Sequence, residues 1–221
     1  MIVAAVAFIS VVLSATLFIL ARQLGWTLGW LYVGLFAVNN IVTVVCVALW
    51  NPVLFARRMK VGPGTKAWDI VWLIVFLATV IALFVVARRD LSAQHDDPAS
   101  PGIEWLTGAV LFVFGWMMVT WSMVVNPFFE KTVRIQTDHG HHVIDNGPYA
   151  RIRHPGYVGI NAIFLSTPLL LSSAWTLLPA LVAVLAIVIR TLLEDRTLQS
   201  ELAGYREYAK KVRYRFIPGV W

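Results

Sequence analysis

Long apolar runs separated by short polar segments make up this chain. A helix needs about 20 such residues to cross the hydrocarbon core of a bilayer. The runs predict spanning helices at residues 2–20, 28–50, 68–87 and 103–125. A further pair follows at about 157–172 and 174–193, joined at Ser172-Ser173, with Pro168 and Pro179 on either side of the link. Each half of that pair is near the minimum spanning length, so a hairpin that crosses or nearly crosses the bilayer is expected. Asn51-Pro52 closes the second helix, and Gly62-Pro63-Gly64 turns the chain before the third. The first run opens at Ile2 with no basic lead and no small-residue cleavage site, which reads as a retained helix and not a signal peptide. The predicted fold class is all-α: a polytopic helical membrane protein of about five to six transmembrane segments with a C-terminal helical hairpin. Residues 1–125 form N-terminal transmembrane helices, and residues 126–221 form a core of polar loop, hairpin and tail.

Composition agrees with the pattern. Of 221 residues, 59% are hydrophobic and 14% charged, whereas a soluble domain carries about a quarter charged residues. The net charge of +6 does not call for a nucleic acid, because the basic residues sit beside the spanning segments, where anionic lipid attracts them. Arg57, Arg58, Lys60 and Lys66 follow the second helix. Lys131, Arg134, Arg151 and Arg153 follow the fourth, and Arg196, Arg206, Lys210, Lys211, Arg213 and Arg215 lie in the tail. The opposite loops carry Arg22, and Arg88 and Arg89 balanced by Asp90, Asp96 and Asp97. The bias of Lys and Arg toward the cytoplasm then predicts both termini on that side. Cys46 is the single cysteine, which excludes an intramolecular disulfide and a cysteine-cluster metal site.

Candidate chemistry gathers where the fourth helix ends. Gly147-Pro148-Tyr149 and Arg153-His154-Pro155-Gly156-Tyr157-Val158-Gly159 lead directly into an apolar run from Ile160 to Leu171. Charged and aromatic groups at the mouth of a spanning segment are costly to place and mark a site; a membrane-surface loop whose residues meet lipid headgroups is the plainer reading. Asn126, Glu130, Arg134, Gln136, Asp138 and Asp145 precede the motif, with Asp145-Asn146-Gly147-Pro148 as a turn. His139, His141 and His142 lack the spacing of a zinc site, and no H-E-x-x-H pair is present, so no metal is expected. Arg190 and Glu194 stand four apart near the end of the last helix, as an i,i+4 ion pair or as a ligand clamp. A guanidinium at that depth needs an anionic partner or must snorkel to the interface. Asp195 points to a different face and reads as solvated. Tyr205 and Tyr208 share one face of a tail helix. Asn39 and Asn40 are expected to make interhelical hydrogen bonds, and Trp26, Trp30, Trp68, Trp105 and Trp175 to anchor helix ends.

Three ordered blocks, HHVIDNGPYARIRHPGYVG, RTLLED and GYREYAKKV…IPG, lie between Asn126 and Pro218 around the hairpin. This set resembles the isoprenylcysteine carboxyl methyltransferase family, within the wider group of small membrane methyltransferases that includes phospholipid methyltransferases. The resemblance implies S-adenosylmethionine-dependent methyl transfer to a hydrophobic or amphiphilic acceptor, with the cofactor site at the cytoplasmic face. It implies cofactor contacts from Gln136, His141, His142, Val143, Ile144, Tyr149, His154, Pro155, Gly156, Tyr157 and Glu194, and a substrate-facing Arg190. His154 is the nearest base for a thiol or amine acceptor, whereas a carboxylate acceptor needs none. The expected partners are the lipid bilayer and a lipophilic or small-molecule methyl acceptor, with no nucleic acid and no metal. Two other classes stay open: a membrane reductase of the sterol-reductase type using NADPH, and a non-catalytic membrane accessory protein.

Overall fold

The computed structural model describes residues 26–57, 65–93 and 101–221. The predicted first helix at 2–20, together with Arg22, Arg58, Lys60, Gly62-Pro63-Gly64, Asp96 and Asp97, lies outside the described residues. Within them, all regular structure is helical: α1 (Thr27–Trp50), α2 (Pro52–Arg57), α3 (Ala67–Ala93), α4 (Ile103–Val125), α5 (Pro155–Leu170), α6 (Leu177–Glu201) and α7 (Tyr205–Lys211), with short 3-10 turns between some of them. Among the described residues, four helices are long and apolar enough to cross a membrane: Thr27–Trp50, Ala67–Asp90, Ile103–Val125 and Ala174–Glu201. They turn Ile41, Leu49, Ile74, Leu77, Val110, Met117 and Leu185 outward. Such a surface suits lipid and would be an aggregation hazard in water. This is an all-α integral membrane protein.

Close helix approach depends on small residues, because lipid supplies no hydrophobic drive for helices to associate. At the α4–α5 crossing, a Cβ added to Gly115 would lie 2.6 Å from the carbonyl oxygen of Gly159, and one added to Gly159 would strike the carbonyl of Gly115. Aromatic contacts fill the space toward the other end. Tyr32 meets Phe112 edge-on at 5.6 Å, and Phe76 meets Phe164 at 5.4 Å. Polar ties connect the remaining helices. Thr43 and Thr120 share a hydroxyl hydrogen bond of 2.6 Å between α1 and α4, and Trp72 Nε1 donates to the carbonyl of Ala186 at 2.8 Å between α3 and α6.

Several expectations shift. Asn39 turns its amide back onto the carbonyl of Leu35 in its own helix, 2.8 Å away, so the interhelical bond is made by Thr43 one turn later. Trp26 is buried in the aromatic core and does not anchor an interface. Asn51 does end α1, for two reasons: its Oδ1 caps the following turn by accepting from the amide of Leu54, and its Nδ2 donates 2.7 Å to the carbonyl of Met123. Pro52 then opens α2 at a position where no amide hydrogen is required. Helix α6 begins at Leu177 rather than 174 and continues to Glu201, well past the predicted end. Pro168 lies inside α5, and the link between the hairpin helices includes Ser172 in the left-handed region at φ 47°.

The start of α3, the end of α4, the start of α5 and the end of α6 all meet at one end of the bundle. There the amides of Arg153 and His154 donate to the carbonyls of Tyr214 and Arg215 at 2.9 and 3.0 Å, so the C-terminal segment is stitched to the entry of α5.

Candidate functional site

The polar end of the bundle encloses a cavity of about 290 Å³, at the small end of the range of small-molecule sites. Trp72, Leu73 and Phe76 of α3 form one wall, the segment from Asn126 to Tyr149 a second, and the ends of α5, α6 and α7 the rest. Gln136, His141, His142, Val143, Ile144, Tyr149, His154, Gly156, Tyr157, Arg190 and Glu194 all line it. Pro155 does not; it is the first residue of α5, with His154 as its cap.

Asp195 organises this end, in contrast to the solvated position expected from its face of the helix. It is fully buried. Arg153 grips it with two parallel bonds, Nε to Oδ1 at 2.8 Å and Nη2 to Oδ2 at 2.9 Å. Tyr205, Gln199 and Arg215 also donate to it, and His154 Nε2 lies 3.2 Å from Oδ1. Arg153 Nη1 donates further to the carbonyls of Val212 and Arg213, both at 2.9 Å. A buried carboxylate is tolerated when paired and hydrogen-bonded in this way. The result joins the motif before α5, the end of α6, helix α7 and the C-terminal segment.

Arg190 finds its anionic partner in Asp69 of α3 and not in Glu194. Its Nε lies 2.9 Å from Oδ1, and Nη2 donates to Oδ2 at 3.2 Å and to the carbonyl of Lys131 at 2.8 Å. Asp69 also accepts the amide of Val133 at 2.7 Å. The guanidinium rests 4.0 Å from the centre of the Trp72 ring and 5.6 Å from that of Tyr157. Glu194 instead accepts a short hydrogen bond from the Tyr157 hydroxyl.

The loop wall is held as firmly. Gln136 is buried, and its Nε2 donates 2.9 Å to the carbonyl of Phe128. That bond orients the amide and leaves Oε1 buried without a protein donor. A buried acceptor without a donor is costly, and it marks where a ligand N–H or O–H belongs. His141 Nδ1 faces the amide of Gln136 at 3.3 Å, and its ring lies 4.4 Å from that of Phe128. Burial, then the neighbouring His142 and Arg134, push the His141 pKa down to about 4. The neutral ring accepts at Nδ1 and so carries its hydrogen on Nε2. Burial also raises the Tyr149 phenol well above its ordinary range, against the lowering effect of a bond from Asn126 Nδ2 at 3.2 Å. Arg134 is spanned by Glu130 and Asp138.

Asp69, Trp72 and Phe128 escaped the sequence reading as site residues. Phe128 carries no signal in an aromatic-rich membrane chain. Asp69 does carry one: an acid in the opening turn of an apolar helix is costly there and needs a partner.

These features define a class: a helical membrane protein whose bundle closes at one end over a charged, aromatic-walled cavity fit for a small polar molecule. Residues 103–203 match the phospholipid methyltransferase family. No curated protein and no solved structure matches the chain. The matched segment contains α4, α5, α6 and the loop wall; α3 lies outside it. The residues present fit the methyl donor this family implies. S-adenosylmethionine has amine and hydroxyl donors for Gln136 Oε1 and Glu194, an adenine for the aromatic walls, and a sulfonium suited to carboxylate and ring faces.

Proposed function

We propose that the protein transfers a methyl group from S-adenosylmethionine to a hydrophobic or amphiphilic acceptor, in a cavity on the cytoplasmic side. One observation carries this reading: the three sequence blocks, far apart along the chain, converge on one cavity in which Gln136 Oε1 is buried and unpartnered. When bound, the cofactor would supply an electrophilic methyl group, and the chain's task is alignment, which can contribute many kcal/mol without any covalent step by the protein. Tyr157 fixes the Glu194 carboxylate as an acceptor for a cationic or hydroxyl group. Asp195 holds His154 by Nε2, leaving Nδ1 as the ring atom that can take a proton from a thiol or amine acceptor.

Thermal-shift measurements on the detergent-solubilised protein test the reading. S-adenosylhomocysteine is expected to raise the unfolding midpoint and NADPH to leave it unchanged. Stabilisation by NADPH alone would replace this reading with a membrane reductase, and no shift with either would favour a non-catalytic protein. Glu194→Gln is expected to weaken S-adenosylhomocysteine binding by about tenfold or more, the weight of a charge-assisted hydrogen bond, while unfolding at a similar temperature.

A further inference from the structure

Three arginines reach the cavity wall, and each already has a carboxylate partner. Arg134 holds Glu130, Arg153 holds Asp195 and Arg190 is paired with Asp69. The third pair differs in origin, because Asp69 comes from α3, outside the segment that matches the methyltransferase family. It is as deeply buried as Arg153 with Asp195, Arg190 being 6% and Asp69 0% exposed, but it differs in surroundings, because the Trp72 ring lies over the guanidinium. Where water is scarce, a carboxylate in contact with a guanidinium cancels most of the field that the cation would project onto a ligand.

Geometry sharpens the point. A guanidinium recognises a carboxylate best through two parallel N–H groups on one edge. In Arg190 the Nε–Nη2 edge is turned to Asp69, and Nη2 is shared with the carbonyl of Lys131. The Nε contact with Oδ1 is an ion pair without an aligned hydrogen bond, and a ligand approaching this edge meets a pair with no net charge. We propose that Asp69 is a specificity residue: by holding this edge of Arg190, it closes the acceptor side of the cavity to anionic head groups and admits acceptors whose reacting end carries no negative charge. Glu194 on the same wall acts in the same direction. Trp72, Leu73, Phe76 and Ile160 supply an apolar surface beside the pair for the acceptor's alkyl part. The methyltransferase reading enters only in calling this ligand an acceptor; the charge preference belongs to the cavity itself.

The test is equilibrium binding of three amphiphiles with one alkyl chain, dodecanoate, methyl dodecanoate and dodecylamine, to the full chain in nonionic nanodiscs without cofactor. The wild-type protein is expected to bind the ester and the amine on the order of tenfold more tightly than dodecanoate. Asp69→Asn is expected to raise dodecanoate affinity on the order of tenfold while changing the ester by less than about twofold. A purely structural role for Asp69 would weaken all three ligands together. Wild-type protein that binds dodecanoate as tightly as the ester overturns the proposal, whether or not the variant folds. So does a folded Asp69→Asn protein that keeps the ester and gains nothing for dodecanoate. Removing both buried charges, as in Asp69→Asn with Arg190→Gln, is expected to leave dodecanoate disfavoured; a gain there would reassign the effect away from Arg190. S-adenosylhomocysteine binding on the same preparations is scored separately. Its absence beside the expected amphiphile ranking would remove the methyltransferase reading and leave the role of Asp69 standing.

Discussion

His141 shows how one residue's surroundings set a measurable property of the whole cavity. Its ring packs on Phe128 and accepts the Gln136 amide, and burial holds its pKa at about 4, against the ordinary 6.5. The depressed value means that the unfolded chain binds the extra proton more readily than the folded one. Stability from this residue is therefore complete above about pH 6.5 and declines as pH falls toward 4. His141→Gln is expected to flatten the unfolding midpoint measured across that window; a slope unchanged by the substitution would place its origin elsewhere. At this scale the sequence was only partly legible. The HHVIDNGPYARIRHPGYVG block marked His141 to Ile144, Tyr149, His154, Gly156 and Tyr157 by resemblance, yet it did not show that Asp195 is a buried hub. Helical periodicity says which face a residue occupies, not what covers that face, and here α7 and the C-terminal segment cover it.

At the scale of elements, hydropathy located α1 and α4 closely and misjudged the ends of α3 and α6. Both helices continue beyond their apolar runs into charged residues. In α6 the continuation is supported by partners far away in sequence: Arg153 for Asp195, Tyr157 for Glu194 and Lys66 for Glu201. A hydropathy window reads charge as the end of a helix because it has no access to those pairings. The α4–α5 crossing is the most exacting contact between elements. Gly115→Leu would push a side chain into the backbone of Gly159 and the side chain of Ile163. A loss of at least about 1–3 kcal/mol is expected from such overpacking, seen as a lowered unfolding midpoint together with weaker S-adenosylhomocysteine binding, since α5 carries Tyr157 into the cavity. A variant as stable as the parent would show that the helices can separate without cost.

For the molecule as a whole, positive charge and the cavity share one end of the bundle. Trp175 is 63% exposed at the other end, near the hairpin turn. If the basic end faces the cytoplasm, as proposed, a membrane-impermeant maleimide applied to intact cells is expected to label Trp175→Cys and spare Lys210→Cys, both in a Cys46→Ser background. The reverse pattern would invert the proposed orientation and put the cavity on the outer face.

The stitching of residues 153 and 154 to 214 and 215 has a practical meaning for anyone handling the protein. A single proteolytic cut near Lys211 would spare every side chain on the cavity wall, yet it would free the strip of backbone against which the entry of α5 is braced. Material trimmed in this way would keep its apolar helices, remain soluble in detergent and pass for intact by helix content, while the entry of α5 beside the ligand pocket had come loose.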